Sequence, residues 1–470
     1  MPSSRARRAL LAGLTGTALL VPATLVHGGD RGSQQTNGSR ETTIATLAAA
    51  DGRSDNTTFS QDNRMARLMG YDSAATNLVS GDSNGKRDVF VRTRGADEES
   101  IAGTTARVSV STKGSQSNGD STEPSIDGDT KRSPHCVTFQ STATNLDRAD
   151  RSSDSDIFLR DLRRHTTTLV SAGSTNARHG VVDGECEFVT YEAGGRVIVR
   201  DLEDGKSHTV GRGSSPDQQT SGKGVAYERG GQIYYQAFQK VFNKGNPIVK
   251  TMARELLVSA GRSGRGNGRS SNASMDDNGH YVAFESTATN LCPGLCSGVS
   301  SDANGAVSDI YRATISSKAP TDDRMQMASY SEGKSLPTYP DALKLQGNGP
   351  SNNPAMTGAG ENISYDSAAT NLRQHSGIKT VDPNGPERDI YYWNFPRKRM
   401  YGNVSRESKP GSELTTDDRF YNGASTNPAS SSRANFIAFT SSETGLSGES
   451  NGGDTPDVFM RYLGGGPEGE

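Results

Sequence analysis

The residues with the spacing of a cation site lie in three short loops. They read Asp82-Ser-Asn84-Gly85-Lys-Arg-Asp88, Asp302-Ala-Asn304-Gly305-Ala-Val-Ser-Asp309 and Asp382-Pro-Asn384-Gly385-Pro-Glu-Arg-Asp389. Looser versions are Asp150-Arg-Ser-Ser-Asp154-Ser-Asp156 and Asn451-Gly-Gly-Asp454-Thr-Pro-Asp457. Oxygen ligands at alternating positions around a glycine suit a hard cation such as calcium. A full calcium loop needs about six ligands and a closing bidentate acid, and these loops offer three side chains each. Two readings stand. One is an Asx turn, in which Asn-Gly supplies the positive φ and the last Asp caps a strand. The other is a calcium site. No further cofactor is expected.

Other chemistry-bearing residues are sparse. The seven histidines are His27, His135, His165, His179, His208, His280 and His375, and no two share metal-ligand spacing. His135 and His280 occupy matching places just before a Val-x-Phe strand, which points to a repeated packing role. Four cysteines fit an oxidising compartment. Cys292 and Cys296 bracket a short loop that a local bridge would close, and Cys136 and Cys186 precede two similar strands that a second bridge would join. Free or buried thiols are the alternative. Trp393, the single Trp, suits rim packing or sugar stacking. A cationic run through Lys240, Lys244, Lys250 and Arg254, continuing to Arg262, Arg265 and Arg269, reads as an exposed linker, with an anionic-polymer patch as the alternative. Asp201-Leu-Glu-Asp204-Gly205 and Asp161-Leu-Arg-Arg read as hairpin turns.

The elements that must carry these loops repeat. One phrase recurs as Ser73-Ala-Ala-Thr-Asn-Leu78, Ser141-Thr-Ala-Thr-Asn-Leu146, Ser286-Thr-Ala-Thr-Asn-Leu291 and Ser367-Ala-Ala-Thr-Asn-Leu372, with a weaker copy at Ser441–Leu446. Each follows a short strand-like run such as Tyr281-Val-Ala-Phe284. Each precedes a second run: Asp88-Val-Phe-Val, Asp156-Ile-Phe-Leu, Asp309-Ile-Tyr, Asp389-Ile-Tyr-Tyr and Asp457-Val-Phe-Met. Degenerate second runs at Val197–Arg200 and Gln232–Tyr235 raise the count to seven. A third strand type also occurs seven times, clearest as Arg107-Val-Ser-Val110, Thr168-Leu-Val-Ser171 and Glu255-Leu-Leu-Val-Ser259. Short β-branched or aromatic runs bounded by Gly/Asn/Asp clusters read as strands, and no sustained helical period appears.

Asp88 reaches Asp457 in six steps of about 61 residues, longer than the ~40–45 of a compact propeller blade. The excess lies in loops: Leu291 to Asp309 and Leu372 to Asp389 are 18 and 17 apart, against 10 for Leu78 to Asp88. Sheets this short bury both faces only when stacked radially. The expectation is an all-β, single seven-bladed β-propeller over 42–463, closed by pairing of its N- and C-terminal strands, since Thr43-Ile-Ala-Thr-Leu47 reads as the missing third strand of the last blade.

Composition fits this. Of 470 residues 31% are apolar, 54 are Gly, and the net charge is −3, which argues against a nucleic-acid binder. No apolar stretch after residue 30 nears the ~18 of a membrane span. Residues 1–30 place Arg5, Arg7 and Arg8 before an apolar run to Val26, the layout of an export signal of Sec or twin-arginine type, with an uncleaved N-terminal anchor as the alternative. Residues 31–41 read as a flexible spacer and 464–470 as a disordered tail. The expected location is secreted or cell envelope, free of the membrane once the signal is removed.

The phrase Asp277-Asn-Gly-His-Tyr-Val-Ala-Phe284, then Ser-Thr-Ala-Thr-Asn-Leu291, then Asp309-Ile-Tyr311, resembles the PD40 (WD40-like) repeats of TolB-type β-propellers. The resemblance covers about 42–463 and implies an exported propeller used as a binding platform. The expected function is a non-catalytic, monomeric platform for a protein or glycan partner. The alternative is a propeller enzyme, a polysaccharide lyase or hydrolase, drawing on residues from several blades at the channel mouth.

Overall fold

The computed structural model describes residues 42–46, 50–62, 66–95, 103–129, 132–243, 246–292, 302–315, 324–330, 346–372, 385–395, 399–403, 423–433, 435–443, 446 and 455–463. The chain divides into two units at residue 37, and all of the described residues belong to the second, 38–470. Asp382, Asn384, Cys296, His27, His375 and the expected signal, spacer and tail lie outside the described residues. No described helix is long and apolar enough to cross a membrane.

Seven four-stranded antiparallel sheets follow one another along the chain. With strands a to d in order, blade 1 is Ser54–Phe59, Leu68–Ser73, Asp88–Arg94 and Gly103–Arg107; blade 2 is Ser121–Ile126, Cys136–Ser141, Asp156–Asp161 and Thr166–Leu169. Blade 3 is Arg178–Val182, Phe188–Ala193, Arg196–Asp201 and Ser207–Arg212; blade 4 is Ser214–Gln218, Gly224–Arg229, Gln232–Asn243 and Asn246–Leu257. Blade 5 is Ser270–Met275, Tyr281–Ser286, Asp309–Thr314 and Met325–Met327; blade 6 is Ser351–Met356, Asn362–Ser367, Asp389–Asn394 and Arg399–Asn403. Blade 7 is Ser425–Ser430, Phe436–Ser441, Asp457–Tyr462 and, from the other end of the domain, Thr42–Ile44. Strand a of each blade contacts strand a of the next, round to blade 1, so the sheets form a closed β-propeller. The closing strand pairs Thr42 with Arg461, Thr43 with Met460 and Ile44 with Phe459.

Strands b and c hold the core. In six blades an aromatic of strand b stacks on one of strand c: Tyr71–Phe90, Phe139–Phe158, Tyr227–Tyr234, Phe284–Tyr311, Tyr365–Tyr391 and Phe439–Phe459, all with centroids 5.8–6.3 Å apart. The seam between blades 7 and 1 is apolar as well, with Phe59, Tyr71 and Phe90 clustered against Phe436 and Met460.

One sequence expectation changes here, and one pair of alternatives is decided. The cationic stretch is no linker between blades 4 and 5: Gln232–Asn243 and Asn246–Leu257 form the long outer hairpin of blade 4, with Lys240 ion-paired to Asp201 (3.0 Å) and Glu203 (2.6 Å). Trp393 is buried against Tyr330, with centroids 4.2 Å apart. It packs the rim and offers no face to a sugar.

Cys136 and Cys186 are bonded, joining the start of strand b in blade 2 to the a–b turn of blade 3. Cys292 is also disulfide-bonded. The turn acids brace the same end of each blade. Asp127 Oδ1 accepts the amides of His135 (2.7 Å) and Cys136 (2.8 Å), and Asp276 Oδ1 those of His280 (2.7 Å) and Tyr281 (2.9 Å). The two histidines therefore hold one structural position in two blades.

Burial raises the carboxyl groups of Asp127, Asp183, Asp217 and Asp309 to about 7. An unfolded aspartate titrates near 4, so between about pH 4 and 7 the folded chain binds more protons, and stability falls as pH rises. His179, raised by Glu123, acts in the same direction. His135 and His208, lowered by burial, oppose it. The melting temperature is expected to be higher at pH 5 than at pH 8. Calorimetric melts showing the reverse order would refute this.

Candidate functional site

The repeated phrases build the blades first. In the Ser-x-Ala-Thr-Asn-Leu phrase the serine hydroxyl meets the serine that opens strand a, as in Ser121–Ser141 and Ser270–Ser286, both 2.9 Å. The Ala is buried, as at Ala143 and Ala288. The Thr-Asn pair clasps an Asn-Gly that precedes strand a. Asn348 Oδ1 accepts Thr370 N (2.8 Å), Asn348 Nδ2 donates to Thr370 Oγ1 (2.9 Å), and Asn348 N donates to Asn371 Oδ1 (2.9 Å). Asn118 and Asn267 repeat the clasp. The glycine after Asn118 is obligatory, because a Cβ on Gly119 would lie 2.6 Å from the Thr142–Ala143 peptide.

The acids of the cation-like loops are engaged in part, while Asp302 Oδ2 and Asn304 Oδ1 are buried with no hydrogen-bond partner among the described residues. Asp88 Oδ1 accepts the hydroxyls of Ser109 (2.5 Å) and Ser117 (3.0 Å), and Asp88 Oδ2 accepts Asn84 Nδ2 (2.8 Å). Arg107 lies 2.7 Å from Asp82 and 3.3 Å from Asp88, so a guanidinium stands between the two carboxylates. Ser171 on Asp156 and Ser329 on Asp309 repeat the serine lock at 2.5 and 2.6 Å. In blade 5 Gln346 Nε2 bridges Asp302 (3.1 Å) and Asp309 (2.7 Å). Asn304 donates to Gly347 O at 2.8 Å, and Asp389 opens strand c of blade 6. In blade 1 a cation would have to displace Arg107 and compete with three donors, a strong electrostatic penalty. Titrating calcium into chelator-treated protein should therefore give no heat from this loop. Binding lost on Asp82→Asn would contradict the account.

Asp127, His135, Cys136 and Cys186 also lie within 4.8 Å of one another. The two sulfurs are joined to each other, which removes the thiolates a metal would take, and Asp127 Oδ2 lies 2.9 Å from His135 Nδ1. The group braces the junction of blades 2 and 3.

What remains is a polar rim at the channel mouth, on the end carrying the b–c and d–a loops. The second or third residue of every strand a has a left-handed backbone: Asn56, Glu123, His179, Ser215, Asn272, Asn353 and Asn427, with φ between 46° and 53°. Such a conformation is uncommon away from Gly and Asn and costs of the order of 1–2 kcal/mol. The fifth residue of strand b in the preceding blade receives the amide this conformation exposes. Asp72 accepts Glu123 N (2.9 Å), Gln140 accepts His179 N (3.4 Å) and Glu192 accepts Ser215 N (2.6 Å). Glu228 accepts Asn272 N (3.0 Å), Glu285 accepts Asn353 N (3.0 Å) and Asp366 accepts Asn427 N (3.3 Å). At the closure Thr440 has no carboxylate, and Asp55 supplies one, accepting Asn56 N, Thr440 Oγ1 and Asn427 Nδ2, each at 2.9 Å.

Several charges on the rim are matched. Arg87 pairs with Asp72 and Arg388 with Asp366. His179 Nδ1 is 2.8 Å from Glu123, its Nε2 is 3.9 Å from Glu192, and the Glu123 hydrogen bond raises its pKa. Between blades 5 and 6 a pocket of about 300 Å³ opens, lined in part by Arg269, Ser271, Glu285, Ser308 and Asn352.

No protein-family model matches the chain, and no curated protein does. Solved structures resemble it at a distance. An oligogalacturonate lyase in complex with manganese is 10% identical, with 92% of this chain and 95% of the other covered and a TM-score of 0.48. The β-propeller domain of the Trilobed protease from Pyrococcus furiosus is 8% identical, covers 88% and 96%, and has a TM-score of 0.41. TolB from Acinetobacter baumannii is 11% identical, covers 75% and 82%, and has a TM-score of 0.31.

The rim escaped sequence reading because strand a, with runs such as Ser-Asn-Asn-Pro or Ser-Thr-Asn-Pro, has the composition of a turn. A signal was nevertheless present: the fifth residue of strand b is Asp, Gln, Glu, Glu, Glu, Asp and Thr around the ring.

Proposed function

We propose that this chain is an exported, non-catalytic binding platform whose ligand face is the channel mouth. The observation that carries this is the rim itself. Each of its strand-b carboxylates already accepts a backbone amide from the next blade. A carboxylate holding an inter-blade hydrogen bond is poorly placed to exchange protons, while the loops above it present polar side chains on a rigid scaffold. The basic-then-apolar start of the sequence and the Cys136–Cys186 bridge support export into an oxidising compartment.

The test is a peptide and glycan array probed with wild-type protein and with Asn272→Gly and Asn353→Gly, which keep the left-handed backbone and remove the side chain. The expected result is a ligand that binds wild type, loses at least tenfold in affinity with these variants, and is recovered unchanged. Binding indifferent to both variants would refute the placement.

One observation favours an enzyme instead: Glu123, His179 and Glu192 converge at the mouth of blades 2 and 3. On that reading a bound polysaccharide is cleaved, and the cleavage disappears in His179→Gln.

A further inference from the structure

The residue just before strand c decides how each rim carboxylate is neutralised. In blades 1 and 6 it is arginine. Arg87 Nε bonds Asp72, and its NH1 bonds Arg53 O at 3.2 Å. Arg388 bonds Asp366, and its NH2 reaches Asn352 Oδ1 at 2.6 Å. In blades 2 and 7 the residue is Ser155 or Pro456, and the rim residues there, Gln140 and Thr440, carry no charge. In blades 3 and 4 it is the second glycine of a tight Gly-Gly turn. There the acids have other basic side chains nearby, His179 at 3.9 Å from Glu192 and Arg269 at 3.7 Å from Glu228.

Blade 5 breaks the rule. Its rim residue is the acid Glu285, and the preceding position is Ser308. Glu285 accepts Ser271 Oγ (2.9 Å), Asn352 Nδ2 (3.2 Å) and Asn353 N (3.0 Å). It is the one rim carboxylate with no cation within 4 Å among the described residues. Arg269 points to Glu228 with a largely exposed side chain. The pocket of about 300 Å³ lies where the arginine of this blade would sit.

We infer that this pocket is a vacant guanidinium seat, and that it takes an arginine side chain of a peptide or protein partner. The inference rests on the platform reading and gives it a ligand chemistry. The two occupied seats define the fit: a planar fork facing a carboxylate, with a backbone carbonyl beside it in blade 1 and a carboxamide oxygen beside it in blade 6. Its volume is at the low end of the ~300–1,000 Å³ of small-molecule sites, which suits one side chain of a larger ligand. Glu285 and Glu228 against Arg269 leave the locality one charge negative, which favours a cation.

The probe is N-acetyl-L-argininamide, followed by saturation-transfer NMR and competed with guanidinium chloride. Wild type is expected to bind it, at least tenfold more tightly than N-acetyl-L-lysinamide or glucosamine. Ser308→Arg places the repeat's own arginine in the seat and should abolish binding without lowering the melting temperature. Glu285→Gln keeps the shape, removes the charge and should weaken binding at least tenfold. Absent binding to wild type, binding unchanged in both variants, or glucosamine bound as tightly as the arginine probe would each overturn the seat. A protein that captures an array ligand in an Asn353-dependent way, yet ignores the arginine probe, loses the seat and keeps the platform. One that binds the probe with normal Ser308→Arg sensitivity, yet cleaves a bound polysaccharide, keeps the seat and loses the platform.

Discussion

Removing residues 42–46 is expected to destabilise the whole domain rather than fray one end. The segment supplies the fourth strand of blade 7 and buries Ala45 and Thr46. Ala45 N donates to Val458 O at 2.8 Å. Thr46 Oγ1 donates at 2.9 Å to Asp457, a fully buried acid whose other oxygen has no hydrogen-bond partner among the described residues and whose pKa burial lifts to about 6. Deletion opens the ring, exposes strand Asp457–Tyr462 as a free edge, and strips the last donor from that acid. Lost pairing, apolar burial and an orphaned carboxylate together amount to roughly 3–5 kcal/mol. Thr46→Ala isolates the hydrogen bond and should cost about 1–3 kcal/mol. Denaturant melts of both variants check this, and a deletion that melts like wild type would show that the strand closes nothing.

The second large effect belongs to the bridge between blades 2 and 3. Cys136 and Cys186 are 50 residues apart, and closing a loop of that length restricts the unfolded chain by about 4 kcal/mol on the chain-entropy account. Cys136→Ala with Cys186→Ala removes the constraint and leaves the Asp127 turn in place. The double variant should lose about 3–4 kcal/mol in guanidinium melts. A loss below about 1 kcal/mol would mean that the brace of Asp127 and His135 suffices to hold the junction.

Strands b and c were legible because their aromatic and β-branched runs must be buried on both faces. The pairing of the first strand with the last was legible because blade 7 otherwise lacked a fourth strand. The third strand type lies a few residues before its sequence signature. Its Val-Ser signature lies just past the strand, where Ser109, Ser171 and Ser329 lock the acids of strand c. The hairpin of blade 4 was hidden by its lysines, and the partners of Lys240, Asp201 and Glu203, sit in blade 3. The cation-like loop of blade 1 is claimed for a related reason. Asp82 and Asp88 have the local spacing of ligands, while the group that claims them, Arg107, arrives from strand d. The seat was the least legible of all, since an arginine missing at position 308 has meaning only once blades 1, 5 and 6 are superposed in register.

Hydrogen exchange tests the closed ring and its polar rim most directly. The amides of Glu123, Ser215, Asn272 and Asn353 each donate across a blade boundary to a carboxylate. They should exchange only with global unfolding, as slowly as the core amides of strands b and c. Exchange of these four at the rate of open loops would mean that the blades are not joined at the channel, and the platform, its mouth and the vacant seat would all lose their basis.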